Sequence, residues 1–245
     1  MDSGFYAACT GLLASTDALD LTAANLANLS TTGYKAQREF YHSLEASMGN
    51  RRLSPLNQAV NNYGVLGGAT VDLKTGEFQK TGNDLDLAMQ GSGFFVVKTP
   101  AGIRYTRNGN FHTDADGNLL TATGDPVMGE DSPVQLPGGA ITVSSDGTIS
   151  QQGAVVANLK LVSFTPGTSL KAEGNSYYSA PAGSELAVDD PRVSQGMLEA
   201  SNMDPVTGTI GLMNLQRHAQ LLEQAVSIFH SVFNNAPAQD LSRVT

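Results

Sequence analysis

The sequence predicts an α+β fold, with an amphipathic helix at each end of the chain and an antiparallel β-rich domain between them. Two observations carry this. Near both termini the apolar residues recur at alternating spacings of three and four, the repeat of a helix face. In the middle they fall into short β-branched and aromatic runs separated by glycine-bearing turns, the pattern of strands and hairpins.

The first helix is predicted from Ser3 to Leu29, a stretch without proline. Phe5, Ala8, Leu12, Ser15, Leu19, Thr22, Leu26 and Leu29 form a heptad seam on one face, and the many alanines add helix propensity and a slim profile. The pattern stops at Ser30-Thr31-Thr32-Gly33, where glycine tolerates positive φ. The second helix is predicted from Pro205, with Asp204 as N-cap and proline at the first helical position, where its missing N–H costs nothing. Its seam is Leu212, Leu215, Ala219, Leu222, Val226, Phe229 and Phe233, and Asn234-Asn235 and Pro237 are expected to end it. Each seam needs a partner, either the other end of the same chain or a neighbouring copy.

Between the helices, Phe94–Lys98 and Ile103–Thr106 flank Pro100-Ala101-Gly102, a predicted hairpin. Phe111–Thr113 and Leu119–Thr121 flank Asp114-Ala115-Asp116-Gly117, and Ile141–Val143 and Thr148–Ser150 flank Ser145-Asp146-Gly147. Leu159–Phe164 is a further strand. The expected division is therefore 1–35 for the first helix, 36–63 for a polar, irregular connector, 64–200 for the β-rich domain and 201–245 for the second helix.

Composition excludes several function classes. The net charge of −9 leaves no broad cationic face for nucleic acid. The single cysteine, Cys9, rules out an internal disulfide and a multi-cysteine metal site. No basic-plus-apolar secretory signal opens the sequence, and no apolar run of about 18 residues is present to span a membrane. That combination alone points to the cytoplasm under standard export.

No constellation for chemistry emerges. Cys9 sits in the alanine-rich helix beside the seam, where packing is the simpler role. His42, His112, His218 and His230 are scattered, and none forms an i,i+4 metal pair. Asp114–Asn118 opens like a calcium loop, but Leu119 and Asp125 stand where glycine and a bidentate glutamate are needed, so it is expected to be a turn. Asp84 and Asp86 alternate with leucines, as on one polar strand face. No catalytic residue, cofactor site or metal site is predicted, and no small-molecule substrate.

Four blocks do carry a resemblance. Asn25-Leu26-Ala27-Asn28-Leu29-Ser30-Thr31-Thr32-Gly33-Tyr34-Lys35 resembles the N-terminal signature of bacterial flagellar rod and hook proteins. Gly76–Phe95, with Gly91, Gly93 and Phe94, resembles the second landmark of that family, and Tyr105-Thr106-Arg107-Asn108-Gly109-Asn110-Phe111 the third. Gln195-Gly196-Met197-Leu198-Glu199-Ala200-Ser201-Asn202 resembles the C-terminal signature. The blocks occur in family order across nearly the whole chain.

The resemblance implies a structural subunit of the flagellar basal-body rod, an axial protein of cell motility and not an enzyme. It implies that the terminal helices pair as a coiled coil, with Phe5, Leu12, Leu19, Leu26, Leu29, Leu212, Leu215, Leu222, Val226, Phe229 and Phe233 as the assembly interface. Asn25, Asn28, Thr32, Gly33 and Tyr34 would cap the first helix and turn the chain outward, and Gly196, Glu199, Ser201 and Asn202 would return it, with Lys35 and Leu198 as further signature residues. The implied partners are other copies, neighbouring rod proteins and the flagellar type III export apparatus. The implied location is the basal body, reached in the periplasm without a cleaved signal, which supersedes the cytoplasmic expectation. The compact middle favours a rod subunit over the hook protein, and the short chain favours the proximal rod subunit next to the distal rod. The alternatives are the distal subunit itself, or a soluble β-domain binding protein or enzyme whose helices pair within one monomer.

Overall fold

The computed structural model describes residues 2–42, 65–165 and 167–240. The fold is α+β: two long helices and a β-rich middle. The chain divides into two compact units, one made of residues 1–26, 37–69 and 205–245, the other of 27–36 and 70–204.

In the first unit, helix α1 spans Asp2–Ala27 and helix α2 spans Pro205–Asp240. α1 ends just ahead of the predicted stop, and Gly33 adopts φ 67° in the turn beyond it. The face that α1 buries is turned somewhat from the predicted seam. Ala8, Ser15, Ala18 and Asn25 are buried, Leu12, Leu19 and Leu26 are half-buried, and Phe5 is exposed. Small side chains allow close approach: a β-carbon on Gly11 would lie 3.6 Å from Leu222 Cδ2 of α2. On α2, Ala219 is buried and Leu212, Leu215, Leu222 and Val226 are half-buried. The side chains of Phe229 and Phe233 lie outside the described residues.

Two sequence expectations are corrected. α2 does not stop at Asn234-Asn235 but continues through Pro237 to Asp240. Pro237 forfeits its own N–H bond, while Ala236, Ala238 and Gln239 favour helix on either side. The irregular stretch expected from residue 36 begins instead with a strand, Gln37–His42, paired with Val65–Val71. The remainder of the expected connector, including Gly49-Asn50-Arg51-Arg52 and Asn61-Asn62, lies outside the described residues.

The second unit is built on a six-stranded antiparallel sheet. Its order is Lys171–Ala172, Tyr177–Ser179, Gly102–Thr106, Phe94–Thr99, Leu161–Phe164 and Glu185–Ala187. The three predicted hairpins form, with Val97 opposite Arg104, His112 opposite Leu120 and Ile149 opposite Val143. Strand Phe94–Thr99 is covered on both faces, which explains its unbroken apolar run. Phe95 and Val97 enter one core with Phe111, Leu119, Ile149 and Leu159, while Phe94 and Val96 enter the other with Tyr105, Val162, Leu170 and Tyr178. The alternation is the period-two geometry of a strand read from both sides. Edge-to-face ring pairs lock each core, Phe95 on Phe111 at 5.3 Å and Phe94 on Tyr178 at 5.9 Å.

Candidate functional site

The β-rich unit encloses a charged cluster drawn from three distant parts of the sequence: Lys35, Arg107 and Glu199. All three side chains are fully buried. Lys35 Nζ donates to Glu199 Oε1 at 2.6 Å and to the Lys74 carbonyl at 2.6 Å. Arg107 Nη1 lies 3.4 Å from Glu199 Oε2 and donates to the Met89 carbonyl at 3.0 Å, while Nη2 donates to the Gly91 carbonyl. The guanidinium carbon sits 4.8 Å from the centre of the Phe94 ring, a cation–π contact. Gly76 N–H adds a second donor to Glu199 Oε1 at 2.9 Å.

Local structure delivers each group. Gly33 N–H donates to the Glu199 carbonyl at 2.7 Å, and a β-carbon at Gly33 would meet Asn108 N at 2.2 Å, so only glycine lets the chain pass there. Two residues on, Lys35 points inward, and its N–H donates to Tyr178 Oη at 2.9 Å. Asn202 works as a backbone surrogate. Its Oδ1 accepts from Ala36 N–H at 2.7 Å, and its Nδ2 donates to the Asp72 and Lys74 carbonyls at 2.8 and 3.0 Å. In the helical unit Asn25 does the same for Gln37, accepting from its N–H at 2.9 Å and donating to its carbonyl at 2.8 Å.

Other signature residues serve turns and close approaches. Asn28 Oδ1 accepts from Thr31 Oγ1 at 3.1 Å, and the Thr32 carbonyl accepts from Ser176 Oγ at 3.2 Å. Tyr34 is buried. Gly93 leaves room for Met89, whose sulfur would sit 2.9 Å from a β-carbon there. Gly196, at φ 71°, donates to the Asp86 carbonyl at 2.8 Å and accepts from Thr81 N–H at 2.9 Å. Leu198 pairs with Gln79 across an antiparallel ladder, and Ser201 Oγ accepts from Met203 N–H at 3.3 Å.

Two cations share one buried carboxylate, and Asp72 adds a smaller attraction on Lys35. Burial pulls the Lys35 ammonium below its ordinary value, and Glu199 pushes back without cancelling it. Burial acts the same way on Arg107, again opposed by Glu199. Arg107 Nε has no partner among the described residues. Burial raises the Tyr178 hydroxyl well above the usual phenol range. Nothing here opens to solvent as a reaction site would, and the groups act as a clasp. Lys35 follows α1 in the chain, Glu199 precedes α2, and Arg107 lies in the middle, so the clasp ties both roots of the helical segments into one sheet-built body.

Elsewhere two aspartates are spent on structure. Asp114 Oδ1 accepts from Asp116 and Asn118 N–H at 2.9 and 2.8 Å, a closed turn whose hydrogen bonds from Asn118 hold its carboxyl below the usual range. Asp86 is buried and accepts from Asn110 and Asn83 side chains at 2.9 and 3.2 Å, while Asp84 is exposed. Among the described residues no group of His, Cys, Asp and Glu is arranged to hold a metal.

The profile of the family described as "Flagella basal body rod protein" matches residues 5–35, and that described as "Flagellar hook protein FlgE/F/G D1 domain" matches residues 88–157. The chain is 33% identical to the flagellar basal-body rod protein FlgF of Caulobacter vibrioides over 223 residues, 89% of each chain. The chain belongs to the flagellar basal-body rod proteins. It is 31% identical to FlgF of Salmonella typhimurium over 259 residues, 96% of each chain, and 29% identical to FlgG of Buchnera aphidicola subsp. Acyrthosiphon pisum over 242 residues. Rod proteins are structural, so the chain is a structural protein and not an enzyme.

The first family match ends on Lys35, and the second contains Arg107. The clasp thus joins the two matched regions to a third segment, 195–202, that sequence reading singled out by resemblance alone. What that reading missed is that Lys35, Arg107 and Glu199 meet. The available signal was charge: each is an ionisable residue inside a block otherwise made of turn formers and apolar residues.

Proposed function

We propose that this protein is a structural subunit of the bacterial flagellar basal-body rod, most like the proximal subunit, which assembles through its terminal helices into a tube that transmits torque. In this reading α1 and α2 pair as a coiled coil, with Phe5, Leu12, Leu19, Leu26 and Leu29 on one side and Leu212, Leu215, Leu222, Val226, Phe229 and Phe233 on the other. Partners are other copies, neighbouring rod proteins and the type III export apparatus, which delivers the chain to the basal body without signal cleavage. The observation that carries the reading is the approach of Leu222 to Gly11, which brings the two ends of the sequence together in one unit. Burying a leucine stabilises by about 1.5–3 kcal/mol, against about 0–1 kcal/mol for an exposed ion pair, so a seam of leucines dominates such an assembly.

Deletion of residues 1–30 tests it. The purified full chain is expected to form rod-like polymers with rising concentration, seen by electron microscopy, and the truncated chain to stay monomeric. Polymers of the truncated chain at the same concentration would show that the helices are not the assembly element.

A further inference from the structure

α2 carries a second apolar stripe on the side opposite its seam. Ile210, Met213, Leu221 and Ile228 are 54%, 47%, 63% and 62% exposed, and Arg217 stands in the middle of the stripe. These positions follow spacings of three, four, four and seven and lie about half a helical turn from Leu212, Leu215, Ala219 and Leu222. α1 has an outer face of a different kind. Leu13 is 67% exposed, Asp17 and Asp20 are exposed beside it, and residues 1–34 contain no lysine or arginine. Among the described residues none forms an ion pair with Asp17, Asp20 or Arg217.

We propose that the outer face of α2, Ile210, Met213, Arg217, Leu221 and Ile228, docks on the outer face of α1 of a second copy, with Arg217 set against Asp17 and Asp20 and Leu13 covered by the α2 stripe. This rests on the rod reading and assigns its copy-to-copy contact to the faces that the seam leaves outside. The occupant follows from charge. Two α2 stripes set face to face bring Arg217 near Arg217, whichever way they run, because it is central in the stripe. Two α1 faces oppose aspartates. Only α2 on α1 matches apolar to apolar and cation to anion. Such a contact uses a different patch on each partner, so it does not close on itself and propagates as an open helical array. Opposite charges on the two faces also disfavour a wrong register.

The test uses the full chain in a Cys9→Ala background, which removes the one native thiol. One variant carries Asp17→Cys with Arg217→Cys, a second carries Gly11→Cys with Leu222→Cys, and both are treated with a short bis-maleimide at rising chain concentration. The outer-face variant is expected to give a ladder of linked copies, and the inner-face variant a linked monomer. Arg217→Asp is expected to weaken association about tenfold or more, and added Asp17→Arg and Asp20→Arg to restore it. A linked inner-face monomer without an outer-face ladder would overturn this inference and leave the rod reading standing. A ladder from the inner-face variant would overturn the pairing of α1 with α2 within one chain, and this inference with it. Loss on Arg217→Asp without rescue would also overturn it.

Discussion

Glu199→Gln is the sharpest probe of the clasp. The carboxylate receives Lys35 Nζ at 2.6 Å and Gly76 N–H at 2.9 Å on Oε1, and faces Arg107 Nη1 at 3.4 Å from Oε2. Glutamine keeps one acceptor but turns the other oxygen into an NH2 donor facing a cation. Two buried positive charges then remain with no anion between them. Removing one partner of a buried pair costs about 3–5 kcal/mol. Lys35→Met works in the opposite direction on charge, leaving Arg107 and Glu199 matched one to one. It loses the bonds to Glu199 and to the Lys74 carbonyl, so it is expected to cost about 1–3 kcal/mol. Urea unfolding followed by tyrosine fluorescence suits a chain without tryptophan. Tyr105, Tyr177 and Tyr178 are buried in the β-rich unit and report on it. Glu199→Gln should lower the midpoint at unchanged slope, and by more than Lys35→Met does. A Glu199→Gln cost below that of Lys35→Met would refute the charge accounting.

Gly33→Ala combines a φ of 67° with a β-carbon 2.2 Å from Asn108 N, whereas Gly82→Ala places alanine at φ 76° with nothing within 4 Å. Thermal melts should show a loss of about 1–2 kcal/mol for Gly82→Ala, the left-handed penalty alone, and a distinctly larger loss for Gly33→Ala; equal losses would count against the close approach. Tyr178→Phe leaves Lys35 N–H without its acceptor, an expected loss of about 1–3 kcal/mol at neutral pH. The Tyr178 phenol is raised in the folded state, so its share of stability is full below the unfolded value of about 10 and is lost as pH climbs toward the folded value. The gap between wild type and Tyr178→Phe in urea midpoints should therefore narrow above pH ~10, and a constant gap across that range would contradict the burial of the hydroxyl.

The periodic parts of the fold were legible because a single rule governs each. The 3–4 spacing marked both helices, and the runs around Pro100–Gly102, Asp114–Gly117 and Ser145–Gly147 marked three hairpins that form as expected. What escaped depended on partners remote in sequence. Tyr177–Ser179 and Glu185–Ala187 are short and gain their place by pairing with Gly102–Thr106 and Leu161–Phe164. The Gln37–His42 strand has a polar sequence and needs Val65–Val71 beside it. The face of α1 shifted toward Ala18 and Asn25 because alanine and glycine, not leucine, permit the approach at Gly11, and a reading that ranks residues by hydrophobicity favours the leucines. The clasp escaped for the strongest version of this reason. Lys35 and Glu199 are 164 positions apart, and nothing local to either announces that both side chains turn inward.

Stability alone does not explain why the join is made of charges. Taking two cations and one carboxylate out of water carries a desolvation cost that their attraction need not repay, burial lowers the Lys35 ammonium despite Glu199, and Arg107 Nε has no partner among the described residues. The gain lies in geometry. Glu199 offers two oxygens in fixed directions, and Lys35, Gly76 and Arg107 satisfy them from three segments in only one register. Apolar side chains of the same volume pack in several. The triple variant Lys35→Met, Arg107→Met, Glu199→Leu separates the two roles. It is expected to unfold at the same or higher urea concentration, with a gain of up to about 1–4 kcal/mol. Its β-rich unit should nevertheless show doubled or broadened amide resonances for residues 33–36 and 198–202, where the segments have lost their common reference. A triple variant that is markedly less stable would mean that the ion cluster supplies binding energy in its own right. One that is as stable, with single sharp resonances, would mean that backbone bonds such as Gly33 N–H to the Glu199 carbonyl and the Asn202 bridge already fix the register, and that the charges answer to something outside this chain.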